Sequence, residues 1–128
     1  MLTCVGFSEK LMFTAYGDGL ICSWKCDLSM YARHVDKKVQ EAELYLPLMG
    51  HVNKVNALVP IMGKNRLYSC SNDCTIRLWD TEKGICDLVY KFSDPIYTAL
   101  YDRTRDMLFT GGWDKQIRAI DIKDGIVD

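Results

Sequence analysis

Two segments of this chain, spaced 41 residues apart, present the same order of residue types. Tyr68 to Gly84 reads YSCSNDCTIRLWDTEKG and Phe109 to Gly125 reads FTGGWDKQIRAIDIKDG. Ser69 thus matches Thr110, Asp73 matches Asp114, Ile76 matches Ile117, Arg77 matches Arg118, Asp80 matches Asp121 and Gly84 matches Gly125. A third copy lies upstream, where Phe13 to Trp24 reads FTAYGDGLICSW and aligns Thr14, Asp18, Ile21 and Trp24 with Ser69, Asp73, Ile76 and Trp79. Such a repeat constrains the fold more than any single residue does. Each unit has to be one supersecondary element that buries its apolar face against its neighbours.

Within each unit, short runs rich in β-branched and aromatic residues are separated by Gly, Asn and Asp clusters, as in antiparallel strands joined by tight turns. The runs predict strands at 2–7, 11–16, 20–25, 44–49, 55–61, 66–71, 74–80, 85–91, 96–101, 107–112 and 116–122. The first two copies are 55 residues apart, so the first unit carries an insertion, DLSMYARHVDKKVQEAE at 27–43. Its Tyr31, Val35, Val39 and Ala42 recur at helical spacing among charges, which predicts a short amphipathic helix or an ordered loop. Such an element either packs over the edge of the unit or serves as a binding element on a rigid scaffold.

The string Gly50–His51, then Asp73, then Trp79–Asp80, resembles the GH…WD signature of WD40 repeats. The resemblance implies an all-β chain of four-stranded antiparallel propeller blades, with one incomplete propeller over 1–128 and repeat units at about 1–49, 50–91 and 92–128. It also implies a buried hydrogen-bond network of His51, Ser69, Asp73 and Trp79. A buried indole N–H needs an acceptor, Ser is both donor and acceptor, and a neutral His relays between Ser and a carboxylate. The third unit keeps Thr110 and Asp114 but has Ile120 in place of Trp and Ser93–Asp94–Pro95 in place of a GH, while the first has no GH before Thr14. In the family, each sequence repeat begins with the outermost strand of one blade. Two complete blades and a third without its edge strand, about eleven strands in all, are therefore expected. Three blades leave sheet faces open at both ends, so either further blades of a longer propeller or a homo-oligomer is expected to close them.

The functional reading is a non-catalytic protein-interaction scaffold binding proteins or peptides. Sixteen basic against 17 acidic residues, a net charge of -1, remove the electrostatic case for nucleic acid or anionic membrane as the main partner. No apolar run is long enough to span a bilayer and the first ten residues lack the pattern of a signal peptide, which predicts the cytoplasm or nucleus and six reduced cysteines. The CxxxC pairs Cys22/Cys26 and Cys70/Cys74 lack a second pair or histidines at ligand spacing, so no metal and no cofactor are expected. The residue before the turn Asp is Gly17, Asn72 or Trp113, and in proteins that this chain resembles that position faces the central binding surface. Trp113 is the leading candidate contact, with Asn72, Arg77 and Arg118 beside it. Two rivals come from other classes. One is RNA binding through Arg103, Arg105, Trp113, Lys115 and Arg118, which are interleaved with Asp102, Asp106 and Asp114. The other is a sialidase-like hydrolase, against which SNDCTIRLW counts: it lacks the glycine of the SxDxGxxW turn and places its Trp one position late.

Overall fold

Each predicted run becomes a strand in the computed structural model, which describes residues 1–8, 10–25, 43–121 and, as backbone, 126–127. The strands are β1 Leu2–Phe7, β2 Leu11–Tyr16, β3 Ile21–Lys25, β4 Glu43–Leu48, β5 Val55–Ile61, β6 Arg66–Ser71, β7 Thr75–Asp80, β8 Ile85–Lys91, β9 Ile96–Asp102, β10 Met107–Gly112, β11 Ile117–Asp121 and β12 Ile126–Val127. They form three antiparallel sheets in plain sequence order, β1-β2-β3-β4, β5-β6-β7-β8 and β9-β10-β11-β12. No helix occurs among the described residues. The helix proposed for the 27–43 insertion lies outside them, apart from Glu43, which begins β4.

The expectation of eleven strands and an edgeless third blade is corrected by β12. Ile126 pairs with Asp121 and Val127 with Ile120, so the third sheet also has four strands. The two β-branched residues after Gly125 are enough to begin a ladder with β11. The third strands also start one residue later than the runs predict, at Ile21, Thr75 and Ile117. The cause is the turn Asp: Asp18, Asp73 and Asp114 each accept the backbone N–H two residues ahead, at 2.9–3.1 Å, which holds that residue pair in a turn. The residue after each Asp has positive φ, at Gly19, Cys74 and Lys115, so the same backbone turn is built three times from different side chains.

The sheets stack face to face, and the apolar residues of each face make the cores. Phe13, Ala15, Ile21 and Leu48 of the first sheet meet Val55, Leu67 and Trp79 of the second. The reverse face of the second sheet sends Ile61, Tyr68, Cys70 and Ile76 against Ile96, Leu108 and Ile120 of the third. The innermost strands come close at Gly6, where an added Cβ would lie 3.2 Å from Pro60 Cγ and 3.3 Å from Leu58 Cβ. Gly6→Leu is therefore expected to overpack this interface and lower stability by about 1–3 kcal/mol. Urea denaturation checks it, and an unchanged midpoint would mean that β1 and β5 are not in contact.

Candidate interaction face

A buried relay runs through the second sheet to the end of the molecule where the β2–β3, β6–β7 and β10–β11 turns lie. Trp79 on β7 is fully buried, and its Nε1–H donates to Ser69 Oγ on β6 at 2.7 Å. Ser69 Oγ lies 2.6 Å from His51 Nε2, and His51 Nδ1 lies 2.8 Å from Asp73 Oδ2 in the β6–β7 turn. The Ser69 hydroxyl already accepts from the indole, so it donates to Nε2, and the neutral Nδ1–H tautomer of His51 donates to the carboxylate. That direction gives every donor an acceptor. Thr75, which the sequence reading did not include, also donates its hydroxyl to Asp73 Oδ1 and lies 3.2 Å from His51 Nδ1. The N–H groups of Thr75 and Val52 complete the shell around Asp73. Gly50 packs closely beside this relay: a Cβ there would lie 3.1 Å from the Trp79 ring and 2.6 Å from Nη1 of Arg77, whose side chain would have to swing aside.

Burial holds His51 below its ordinary pKa, against the opposing pull of Asp73, so the ring is neutral near pH 7. For Asp73, burial works upward, but the hydrogen bonds from Thr75 and His51 outweigh it and hold the carboxyl below its usual value. The other two sheets carry reduced versions of the relay. In the first, Trp24 Nε1–H donates to Thr14 Oγ1 at 2.8 Å and Thr14 donates to the Tyr16 hydroxyl at 3.2 Å. In the third, Thr110 is buried and fully buried Ile120 replaces the indole.

The candidate contacts lie around the same end of the sheets, but they differ in what they can do. Trp113 is 67% exposed. Its N–H is tied to the Pro95 carbonyl at 3.0 Å, and a Cβ on Gly112 would collide with that carbonyl, so the glycine lets the turn press onto the 92–95 linker while the indole points outward. Tyr97, absent from the sequence-based candidates, stands edge-on to Trp113 with ring centroids 6.4 Å apart. Asn72 accepts from Asn56 Nδ2 at 2.8 Å, and Asn56 also donates to the Ile96 carbonyl at 2.9 Å, which joins the second sheet to the third. Arg118 is engaged by Asp114 and by the Phe92 ring, 5.1 Å away. Arg77 points its Nη1 at Cys86 Sγ, 3.8 Å away, and its buried Nε has no acceptor among the described residues.

The basic residues weighed for RNA do not form one patch. Arg103 and Arg105 sit in the β9–β10 turn, whereas Trp113 and Lys115 sit in the β10–β11 turn at the other end of β10, and Arg105 is paired with Asp102 at 2.8 Å. On that far end a pocket of about 820 Å3 opens between the first and second sheets, lined in part by Phe13, Tyr45, Lys10, Lys25 and Arg66. Cys70 is buried, and burial pushes its thiol up to about 12, so it is not a nucleophile at neutral pH. Cys74, its CxxxC partner, lies in the turn, and Cys26 lies outside the described residues. Among the described residues no three His, Cys, Asp or Glu side chains form a metal-binding group. No helix among them is long and apolar enough to cross a membrane.

Comparison with known proteins places this geometry. The profile of the WD domain, G-beta repeat, matches residues 42–80, which include the whole relay. The chain is similar to the pre-mRNA-splicing factor cwf17 of Schizosaccharomyces pombe, at 32% identity over 75 residues covering 58% of this chain and 22% of the relative. It is similar to the WD repeat-containing protein 89 homolog of Dictyostelium discoideum, at 34% identity over 64 residues, 50% of this chain and 17% of the relative. It also resembles the ribosome biogenesis protein WDR12 homolog of Drosophila mojavensis, at 24% identity over 123 residues, 94% of this chain and 29% of the relative. The chain thus spans less than a third of the length of these relatives. In fold it matches the β-propeller domain of Myceliophteria thermophila Cps50 (Swd1) with a TM-score of 0.77 at 21% identity, covering 99% of this chain and 37% of that one.

Two outcomes follow from the relay. Trp79→Ala is expected to cost about 3–5 kcal/mol and His51→Ala about 1–3 kcal/mol, through orphaned polar groups; thermal denaturation checks both, and unchanged midpoints would contradict the relay. The depressed pKa of His51 means that the folded state binds fewer protons than the unfolded chain, so stability falls as pH drops below 6.5. The contribution of Asp73 is present above 3.8 and is lost as pH falls through its folded value. The melting temperature is expected to be higher at neutrality than below pH 6.5, with His51→Gln flattening that decline.

Proposed function

We propose that this chain, a partial WD40 β-propeller, acts as a non-catalytic protein-interaction scaffold that captures its partner through the turns around Trp113. The observation that carries this reading is the outward indole of Trp113, held by a backbone bond to Pro95 and braced edge-on by Tyr97. Exposing an indole costs solvation free energy, and a rigid aromatic with little side-chain entropy left to lose is the type of residue that dominates binding energy at interfaces. Asn72 and the Asn56 bridge form the adjoining polar rim, while Arg77 and Arg118 act as supports beneath it.

The relay of His51, Ser69, Asp73 and Trp79 is assigned a structural role. It has the residue types of a hydrolytic triad, but Ser69 is fully buried and its hydroxyl is shared between an indole and an imidazole, so no substrate carbonyl can reach it. Relatives named for pre-mRNA splicing and ribosome biogenesis support a nuclear setting for the scaffold. The separation of Arg103 and Arg105 from Trp113 favours a protein partner over RNA.

Trp113→Ala is expected to leave the melting temperature unchanged and to weaken partner capture by about 30-fold or more, the equivalent of losing an anchor worth about 2 kcal/mol. Affinity capture with the full chain and with the variant, compared by quantitative mass spectrometry, checks it. Equal recovery of every captured protein would remove Trp113 from the binding surface.

A further inference from the structure

Each innermost strand carries one extra residue at the same place. The register of β1 against β2, β5 against β6 and β9 against β10 slips once, which leaves Thr3, Asn56 and Tyr97 unmatched. A bulge of this kind re-aims its side chain. In the first two sheets that side chain reaches the next sheet: Thr3 Oγ1 donates to the Val55 carbonyl at 2.7 Å, and Asn56 Nδ2 donates to the Ile96 carbonyl at 2.9 Å. Asn56 also holds Asn72 within its own sheet, and 41 residues further on the same two positions are Tyr97 and Trp113. The third sheet therefore replaces a hydrogen-bonded amide pair with an aromatic pair, whose rings meet at 88° and stay 43% and 67% exposed.

The chemistry offered at this corner is one-sided. The Trp113 indole N–H, the Tyr97 hydroxyl and the Asn72 Nδ2 amide make no hydrogen bond among the described residues, whereas Asn72 Oδ1 already accepts from Asn56. Asn72 is held beside the rings, because Asn56 bonds both to it and to the carbonyl of Ile96, one residue before Tyr97. The carboxylate next to Trp113, that of Asp114, is paired with Arg118. Free donors beside two perpendicular rings suit a ligand with an apolar ring of its own and unsatisfied carbonyls. A helix spends its carbonyls on its own ladder, and a strand brings an N–H with each carbonyl. A polyproline II segment makes no internal hydrogen bonds, its prolines have no N–H, and their rings dock in aromatic-lined grooves. We propose that the Tyr97–Trp113 corner, with Asn72 beside it, binds a proline-rich segment of a partner protein in the polyproline II conformation, an inference that rests on the reading of Trp113 as the contact residue.

Titration of decaproline into the full chain, followed by nitrogen-15 correlation NMR, tests this. The Trp113 indole signal is expected to shift saturably, and a glycine–serine peptide of the same length is expected to leave it in place. Tyr97→Ala is expected to weaken binding about tenfold or more through loss of one wall of the corner. Asn72→Ala is expected to weaken it about threefold to tenfold, the loss of one hydrogen bond. Tyr97→Phe keeps the ring and serves if the alanine variant folds poorly; it is expected to weaken binding about threefold. No saturable shift, equal binding of the glycine–serine peptide, or tighter binding of a trimethyllysine peptide, which the rings alone would favour, would overturn the proposal. If decaproline fails to bind while Trp113→Ala still loses captured proteins, only the proline assignment falls. If both tests fail, the reading of Trp113 as the contact falls with it.

Discussion

An indole N–H sealed away from water has to find an acceptor, and at Trp79 that requirement organises the middle of the molecule. Ser69 supplies the acceptor, which commits its proton to His51 and the other ring nitrogen of His51 to Asp73. The four residues come from β6, β7, the linker after β4 and the β6–β7 turn, so one connected relay fixes two strands, a turn and the entry from the first sheet. An unpaired polar group at any point of it would cost about 1–3 kcal/mol. Asp73 does a second job, because its other oxygen accepts from Thr75 and shapes the turn from which the neighbouring surface is built.

The repetition is one of backbone more than of chemistry. All three sheets reuse the Asp-centred turn and the positive φ that follows it, but only the second carries the full relay. The first keeps the indole-to-hydroxyl bond, and the third replaces the indole with Ile120 and relies on apolar burial. Trp113 belongs to that third sheet. The residues that hold the fold and the residue proposed to bind a partner therefore lie in neighbouring sheets with separate demands, so the binding turn can change without breaking the relay.

Features that depend on residue type at fixed spacing were legible in the sequence. The strand runs, the turn Asp residues and the four relay positions each carry their own chemistry, and the repeat aligned them. Features that depend on what lies across an interface were not. Tyr97 becomes the companion of Trp113 only once β9 is registered against β10, and Asn56 matters only because β9 of the next sheet brings the Ile96 carbonyl to it. Arg103 and Arg105 are close to Trp113 in sequence, but antiparallel pairing sends them to opposite ends of the sheet. Arg77 and Arg118 share a repeat position yet meet Cys86 and Asp114 respectively. The two-residue β12 was too short to stand out as a run.

The state of the His51 ring is where the central claim can be read most directly. Nitrogen-15 NMR of the imidazole, followed through a pH titration, reports both the tautomer and the protonation midpoint at that one residue. Neutral Nδ1–H with a bare Nε2 near pH 7, a midpoint below 6.5, and a Trp79 indole proton that shifts with the same midpoint are the results expected of a buried relay ending on Asp73. A proton on Nε2, or a midpoint above 6.5, would contradict the relay and the stability assigned to it.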